Sequence, residues 1–276
     1  MADDHKSTKS TVIDLPTVSY RDLMLGSQDA AVGLLKAASI DGFFQLDLRD
    51  TPAQQTVLDA LPVVYKAGKQ YFAQSPAVKE QDRRQANNGT DRGFTSCPSD
   101  EDLELSIDEY RAGNPPFPAV LQAKRETIGN FMESLDQACR VMLASLSASL
   151  GLQEGESLDQ YHHKADTSES GLKFVSEPTL ARIADVADNT HTDGGTFTII
   201  FCKRLGLQTY LPRTKEWAFV PPKDGCCVVN VADALSRFSH GVLHSPRHRV
   251  TQVEDGAGER LYLSHFLRPS HKYAGP

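Results

Sequence analysis

The chain has 276 residues, 39% of them hydrophobic and 24% charged, which is enough to bury one sizeable core within the length range of single β-rich domains. Its formal net charge of −7 comes with no basic run, which argues against a nucleic-acid binder that works by neutralising phosphates. No run of about 18 apolar residues occurs, so no membrane span is expected. Five cysteines without a C-x-x-C pair point to free thiols in a reducing, cytoplasmic compartment.

Residues 1–10 form a polar tail without the apolar core of a signal peptide. Thr11 to Leu15 predicts a short strand ended by Pro16. A helix is expected from Gln28 to Ala38, capped by Ser27, with Ala31, Leu34, Leu35 and Ala38 on its buried face. It leads into Asp41-Gly42-Phe43-Phe44, the start of a strand. Thr51-Pro52 is a cap-plus-proline signal for a helix reaching Phe72, and Pro62 should kink it or divide it in two. The charged, Gly/Asn-rich stretch 79–93 is a solvated loop, with a lid or substrate contact as the alternative.

Pro115 to Pro118 open the longest periodic segment, which runs to Leu150 and is stopped by Gly151. Ile128, Phe131, Met132, Leu135, Cys139, Met142, Leu143 and Leu146 follow at steps of three and four or in pairs, a core stripe with no catalytic role. At ~1.5 Å per residue it spans nearly 50 Å. From Leu172 the signals change to short β-branched or aromatic runs: 172–175, 183–186, 196–202, 207–211, 217–220, 226–231, 248–253 and 260–267. Eight such strands suggest a jelly roll with the earlier helices outside it. Cys226 and Cys227 face opposite sides of their strand, so at least one should be buried, and no disulfide is expected.

Within this half His191 and Asp193 stand two apart, and on an extended chain such positions project to one face. His248 follows after several strands that can bring it back beside them. Two histidines and one carboxylate fill half an octahedron around a divalent metal and leave the other half open to substrates. His240, His244 and His248 are spaced by four and compete as a helical zinc site, but Gly241 and Pro246 interrupt that helix. His240 and His244 are therefore read as turn residues.

H-T-D-G-G-T-F-T at 191–198, G-L-Q at 206–208, Trp217 with V-P-P at 220–222, V-N-V-A-D at 229–233 and H-R-V at 248–250 occur in order. This sequence resembles the iron(II)/2-oxoglutarate-dependent dioxygenases of the isopenicillin N synthase-like branch, closely over 172–269 and more loosely before. The resemblance implies a mainly β fold with flanking helices around a double-stranded β-helix (jelly-roll) core. It also implies one oxygenase domain over 1–276, of which 1–160 is mostly helical and 170–269 is the core with the metal site.

Implied cofactors are Fe(II) on His191, Asp193 and His248, with 2-oxoglutarate as cosubstrate and O2. Asp233 matches a structural Asp. Arg260 is implied as the anchor of the far carboxylate of 2-oxoglutarate, 12 residues beyond His248 with an insertion at 255–258. The family's R-x-S here reads Arg260-Leu261-Tyr262, so the Tyr262 phenol is expected to replace the serine as donor. Relatives continue into a helix over the barrel mouth, whereas this sequence stops at Pro276. The expected partner is a small molecule of specialised metabolism, with no nucleic acid and no membrane. Two alternatives stand beside this reading: an oxidase that needs no 2-oxoglutarate, and a catalytically silent binding protein on the same barrel.

Overall fold

The computed structural model describes residues 11–84, 92–97, 100–113, 117–153, 155–177, 189–251 and 260–274. The tail 1–10, the expected strand at 183–186, the turn at 255–258 and residues 85–91 of the charged stretch lie outside the described residues. In chain order the elements are β1 (Thr17–Ser19), α1 (Tyr20–Met24), α2 (Gln28–Ile40), β2 (Phe43–Asp47), α3 (Pro52–Phe72), α4 (Pro76–Lys79), β3 (Gly93–Ser96), β4 (Glu101–Ser106), α5 (Ile107–Arg111) and α6 (Arg125–Ser149). There follow β5 (Gly171–Glu177), β6 (Phe197–Phe201), β7 (Leu207–Leu211), β8 (Glu216–Phe219), β9 (Cys226–Val231), α7 (Asp233–Phe238), β10 (His248–Val250) and β11 (Arg260–Leu267).

Two sheets face each other. The large one runs β1-β2-β9-β6-β11-β5-β4-β3, and the small one β10-β7-β8. Strand alternation gives the large sheet two different faces. Phe44, Leu46, Leu103, Phe174, Phe197, Ile199, Val229, Leu263 and Leu267 turn outward into one core with the helices. Phe43, Ile200 and Val228 turn inward and pack on Leu207 and Val220. α3 lies so close on the outer face that a Cβ added at Gly68 would sit 2.8 Å from the Phe174 ring and 3.2 Å from Leu261. α6 lies against α3 and α2 and supplies the core residues Ile128, Phe131, Leu135, Met142 and Leu146. The result is a jelly roll with helices on its outer side.

Several local expectations change. The strand expected over Thr11 to Leu15 is reduced to a parallel bridge between Val12 and Phe219, with Ile13 N donating to Phe219 O at 2.9 Å. The true edge strand, β1, comes after Pro16, whose carbonyl accepts from Gln45 N at 2.8 Å, and pairs parallel with β2. α3 continues through Pro62 as one helix. Burial of Val57, Val64, Tyr65 and Tyr71 along it outweighs a proline cost of about 3 kcal/mol. The long periodic segment begins as a 3-10 turn, Ala119–Lys124, so α6 itself has 25 residues and spans about 37 Å, not 50. β3 and β4 were not expected. Cys227 is buried toward the helices, Cys226 is half-buried, and all five cysteines are free thiols. Among the described residues no helix is long and apolar enough to cross a membrane.

Candidate metal centre

The segment before β6 meets β10 edge to edge. His191 N donates to His248 O at 3.0 Å and His248 N to His191 O at 2.9 Å, an isolated antiparallel bridge that sets the two imidazole centroids 4.4 Å apart. Asp193 projects to the same side, its Oδ1 lying 3.5 Å from His191 Nε2 and 3.6 Å from His248 Nε2. Among the described residues this is the one group of His, Cys, Asp and Glu side chains gathered closely enough for a metal, with ligand atoms within 4.8 Å of one another. Neighbouring ligands of a six-coordinate ion at ~2.1 Å lie about 3 Å apart, so Asp193 Oδ1 already stands near that spacing from both rings, and the wider separations in the set close further on binding.

Backbone carbonyls fix the ring tautomers. His191 Nδ1 donates to Asn189 O at 2.8 Å and His248 Nδ1 to Pro246 O at 3.2 Å. A carbonyl can only accept, so the proton resides on Nδ1 and the Nε2 lone pair points to the shared centre. Phe43 of β2 meets the His248 ring edge-on at 5.7 Å and 77°, which holds its plane. Burial pushes the His248 pKa down and keeps the ring neutral, whereas the Asp193 carboxylate raises that of half-exposed His191.

Asp193 is itself oriented from behind. Its Oδ2 accepts from Thr198 Oγ1 at 2.5 Å and Asn230 Nδ2 at 3.0 Å, leaving Oδ1 toward the histidines. Burial would raise its pKa, but the adjacent His191 and His248 rings and the hydrogen bonds from Thr198 and Asn230 together hold it well below the usual carboxylate range. A carboxylate and two imidazoles on one side of a point are a facial donor set suited to a divalent iron ion once both Nε2 atoms are unprotonated. The residues present therefore fit the metal.

Other expected residues fall as follows. His240 adopts φ +52° in the turn after α7, and His244 N donates to Ala38 O at 2.9 Å, so neither joins the centre. Asp233 accepts from Thr192 Oγ1 at 2.9 Å and Ser245 Oγ at 2.6 Å, tying the H-x-D segment to the loop before β10. A cavity of about 240 Å³ opens beside the three ligands, lined by Thr198, Ile200, Leu207 and Val250 and by Tyr262, Ser264 and Phe266 of β11. Arg260 is buried at the start of β11, its Nε donating to Leu205 O at 3.3 Å. It lines a second cavity of about 100 Å³ with Tyr65, Lys69, Lys203 and Arg204, and Tyr262 lines both cavities.

Tyr262 reaches across toward the start of β7, where a Cβ added at Gly206 would sit 2.1 Å from its hydroxyl oxygen. Sequence reasoning missed Lys173 and Glu177, which line the metal cavity from β5, and Asp102 from β4. Thr198 and Asn230 stand inside the matched motifs, but their role as the backing of Asp193 emerges only from the hydrogen bonds.

The family model described as the 2OG-Fe(II) oxygenase superfamily matches residues 162–269. The chain is 30% identical to the 2-oxoglutarate-dependent dioxygenase gloE of Glarea lozoyensis, over 96% of this chain and 81% of that one. It is 28% identical to the 2-oxoglutarate-dependent dioxygenase frbH of Dothideomycetidae sp., over 92% and 81%. In fold it is similar to a Neurospora crassa protein solved in complex with alpha-KG and 5-formyluracil, at a TM-score of 0.78 and 20% identity, covering 96% of this chain and 88% of that one. By its sequence relatives, its jelly roll and its His-Asp-His donor set, the chain belongs to the 2OG-Fe(II) oxygenase superfamily, enzymes that act with Fe(II), 2-oxoglutarate and O2.

Proposed function

We propose that this chain oxidises a C–H bond of a small molecule of specialised metabolism, with His191, Asp193 and His248 as the iron ligands, and that it lies on the isopenicillin N synthase-like branch of the superfamily. The observation that carries the reading is the convergence of Asp193 Oδ1 with the two Nε2 atoms beside the large cavity. In this reading residues 1–276 act as one cytoplasmic oxygenase domain, whose helical part braces the outer face of the sheet that carries the site.

When bound, Fe(II) with 2-oxoglutarate and O2 supplies the oxidising equivalents, and 2-oxoglutarate leaves as succinate and CO2. The protein's own part is positional. Asn189 O and Pro246 O keep both Nε2 lone pairs available, and Thr198 and Asn230 hold Asp193 ionised and aimed. Ile200, Leu207 and Val250 make part of the wall apolar, which excludes water from that side of the cavity. The Tyr262 hydroxyl and the Arg260 guanidinium would hold the far carboxylate of 2-oxoglutarate, the first as a donor and the second as counter-charge.

The test is metal content together with O2 consumption, with and without 2-oxoglutarate. We expect about one Fe(II) per chain, O2 uptake only when 2-oxoglutarate is added, and loss of iron in His191→Ala, Asp193→Ala and His248→Ala but not in His244→Ala. Iron retained in His248→Ala, or O2 uptake indifferent to 2-oxoglutarate, overturns the reading.

A further inference from the structure

The wall of the metal cavity is written by strand register. On β11 the inward residues run Phe266, Ser264, Tyr262, Arg260, and directly opposite on β5 stand Gly171, Lys173, Val175 and Glu177. Phe266 pairs with Thr198, the residue that holds Asp193, so the Phe266 end is the metal end and the Glu177–Arg260 pair stands at the other. Glu177 is 7% exposed, lines the metal cavity, and has one carboxyl oxygen, Oε2, buried without a hydrogen-bond partner. The Tyr262 hydroxyl is likewise buried and lies against the Glu177 carboxyl, without a well-formed hydrogen bond between them. Two polar groups thus wait at the end of a cavity that, in the reading above, receives a dicarboxylate.

A carboxylate there is a puzzle if it is ionised. Placed against the far carboxylate of 2-oxoglutarate it would repel its own cosubstrate, whereas a neutral carboxylic acid would donate a hydrogen bond to it. The charged and titratable groups facing Glu177 are Arg260 and Tyr262 on β11, Asp102 on β4 with Asp100 just before it, and Lys173 on its own strand. Burial dominates among their effects: it pushes the Glu177 pKa up to about 8, with Asp100 raising it further and Tyr262 and Arg260 opposing. An anion bound alongside favours the protonated form still more.

We propose that Glu177 is a positioning residue for 2-oxoglutarate, holding the far carboxylate by a hydrogen bond from its protonated carboxyl group, and that cosubstrate binding is therefore coupled to keeping that proton. This rests on the reading of the cavity as a 2-oxoglutarate site. Neutral at pH 7, Glu177 and the Tyr262 phenol together supply donors, and Arg260 beyond them supplies the positive charge. Above the pKa of Glu177 the cosubstrate must bring a proton with it, so its affinity falls by up to about tenfold per pH unit.

The test is calorimetric titration of 2-oxoglutarate into the anaerobic Mn(II)-loaded protein, with oxalate as a second ligand. Oxalate can chelate the metal but has no far carboxylate. From pH 7 to pH 9 we expect 2-oxoglutarate to weaken about tenfold, with about one proton taken up per molecule bound at pH 9, measured in buffers of different ionisation enthalpy. Oxalate should show neither effect, and Glu177→Gln should bind 2-oxoglutarate with a flat profile and no proton uptake.

An unchanged pH profile in Glu177→Gln, or equal proton uptake with oxalate, overturns the role of Glu177 and leaves the oxygenase reading intact. Oxalate binding without any 2-oxoglutarate binding from pH 7 to pH 9 overturns the 2-oxoglutarate reading and the proposal with it.

Discussion

Tyr262 and Gly206 illustrate how one substitution in a motif binds a second residue to it. The phenol crosses from β11 to the start of β7, where only a hydrogen at Gly206 leaves room for its oxygen. Adding a methyl group in Gly206→Ala forces the ring aside, an overpacking change that costs on the order of 1–3 kcal/mol. Tyr262→Phe removes the oxygen that would clash at 2.1 Å and leaves Cζ at 3.4 Å, a tight but tolerable contact. Denaturant midpoints of the two single variants and the double should therefore show a coupling of about 1 kcal/mol or more, with the double variant less damaged than the sum. Strict additivity would mean that the ring moves freely and does not divide the two cavities. At this scale the cluster of His191, Asp193 and His248 proposed as metal ligands was legible, because H-x-D and H-R-V carry its members at recognisable spacings. Glu177 and Lys173 were not, because a charged residue on a short strand reads as solvent-facing, and nothing local says that the polar face of this strand looks into a cavity.

The same ambiguity hid a whole element. E-D-L-E-L-S at 101–106 alternates as a strand should, yet its acidic content reads as loop. In the structure Asp102 and Glu104 of β4 are buried on the cavity side, with Lys173 Nζ 3.7 and 3.6 Å away, while Leu103 and Leu105 join the outer core. Strands β5 to β11 were placed to within a few residues because their outward faces are β-branched or aromatic. The outer face of β11 also carries His265, fully buried with both ring nitrogens unpartnered, and His162 packs nearby with Nε2 2.7 Å from Thr196 Oγ1.

Burial pushes the pKa of each of these two histidines down to about 4. The unfolded chain binds these protons near pH 6.5 and the folded chain refuses them, so their contribution is complete above pH 6.5. It is lost as pH falls toward 4, at up to about 1.4 kcal/mol per pH unit for each ring. Urea midpoints should fall more steeply between pH 6 and 4.5 in the wild type than in His265→Gln, the difference between the two profiles isolating the buried ring from other groups such as Glu177 that also titrate. An equal slope in that variant would show that the buried ring is not the acid-sensitive element.

For the molecule as a whole, the site is the seam between its two sheets. His248 sits on β10 of the small sheet, and His191 and Asp193 on the segment that enters β6 of the large one, with two backbone hydrogen bonds and a carboxylate between them. The large sheet is secured independently, since its outer face is packed under α3 and α6. Among the described residues the small sheet has three strands, and it meets the large one through the compact inner cluster of Phe43, Ile200, Leu207, Val220 and Val228. A divalent ion held by all three ligands therefore cross-links the weaker layer to the stronger one.

Binding to the native state alone stabilises by RT ln(1 + [L]/Kd), about 2.7 kcal/mol at a hundredfold excess over Kd. For a chain of this size that raises Tm by roughly 5 °C. Mn(II) under anaerobic conditions should give this shift in the wild type, and His248→Ala should abolish it while unfolding at nearly the metal-free wild-type temperature. Proteolysis should report the same linkage locally, with metal slowing cleavage in the 239–247 loop that leads into His248 more than in α6. A metal-induced Tm shift that survives in His248→Ala would place the ion elsewhere, and the seam would then owe its strength to packing alone.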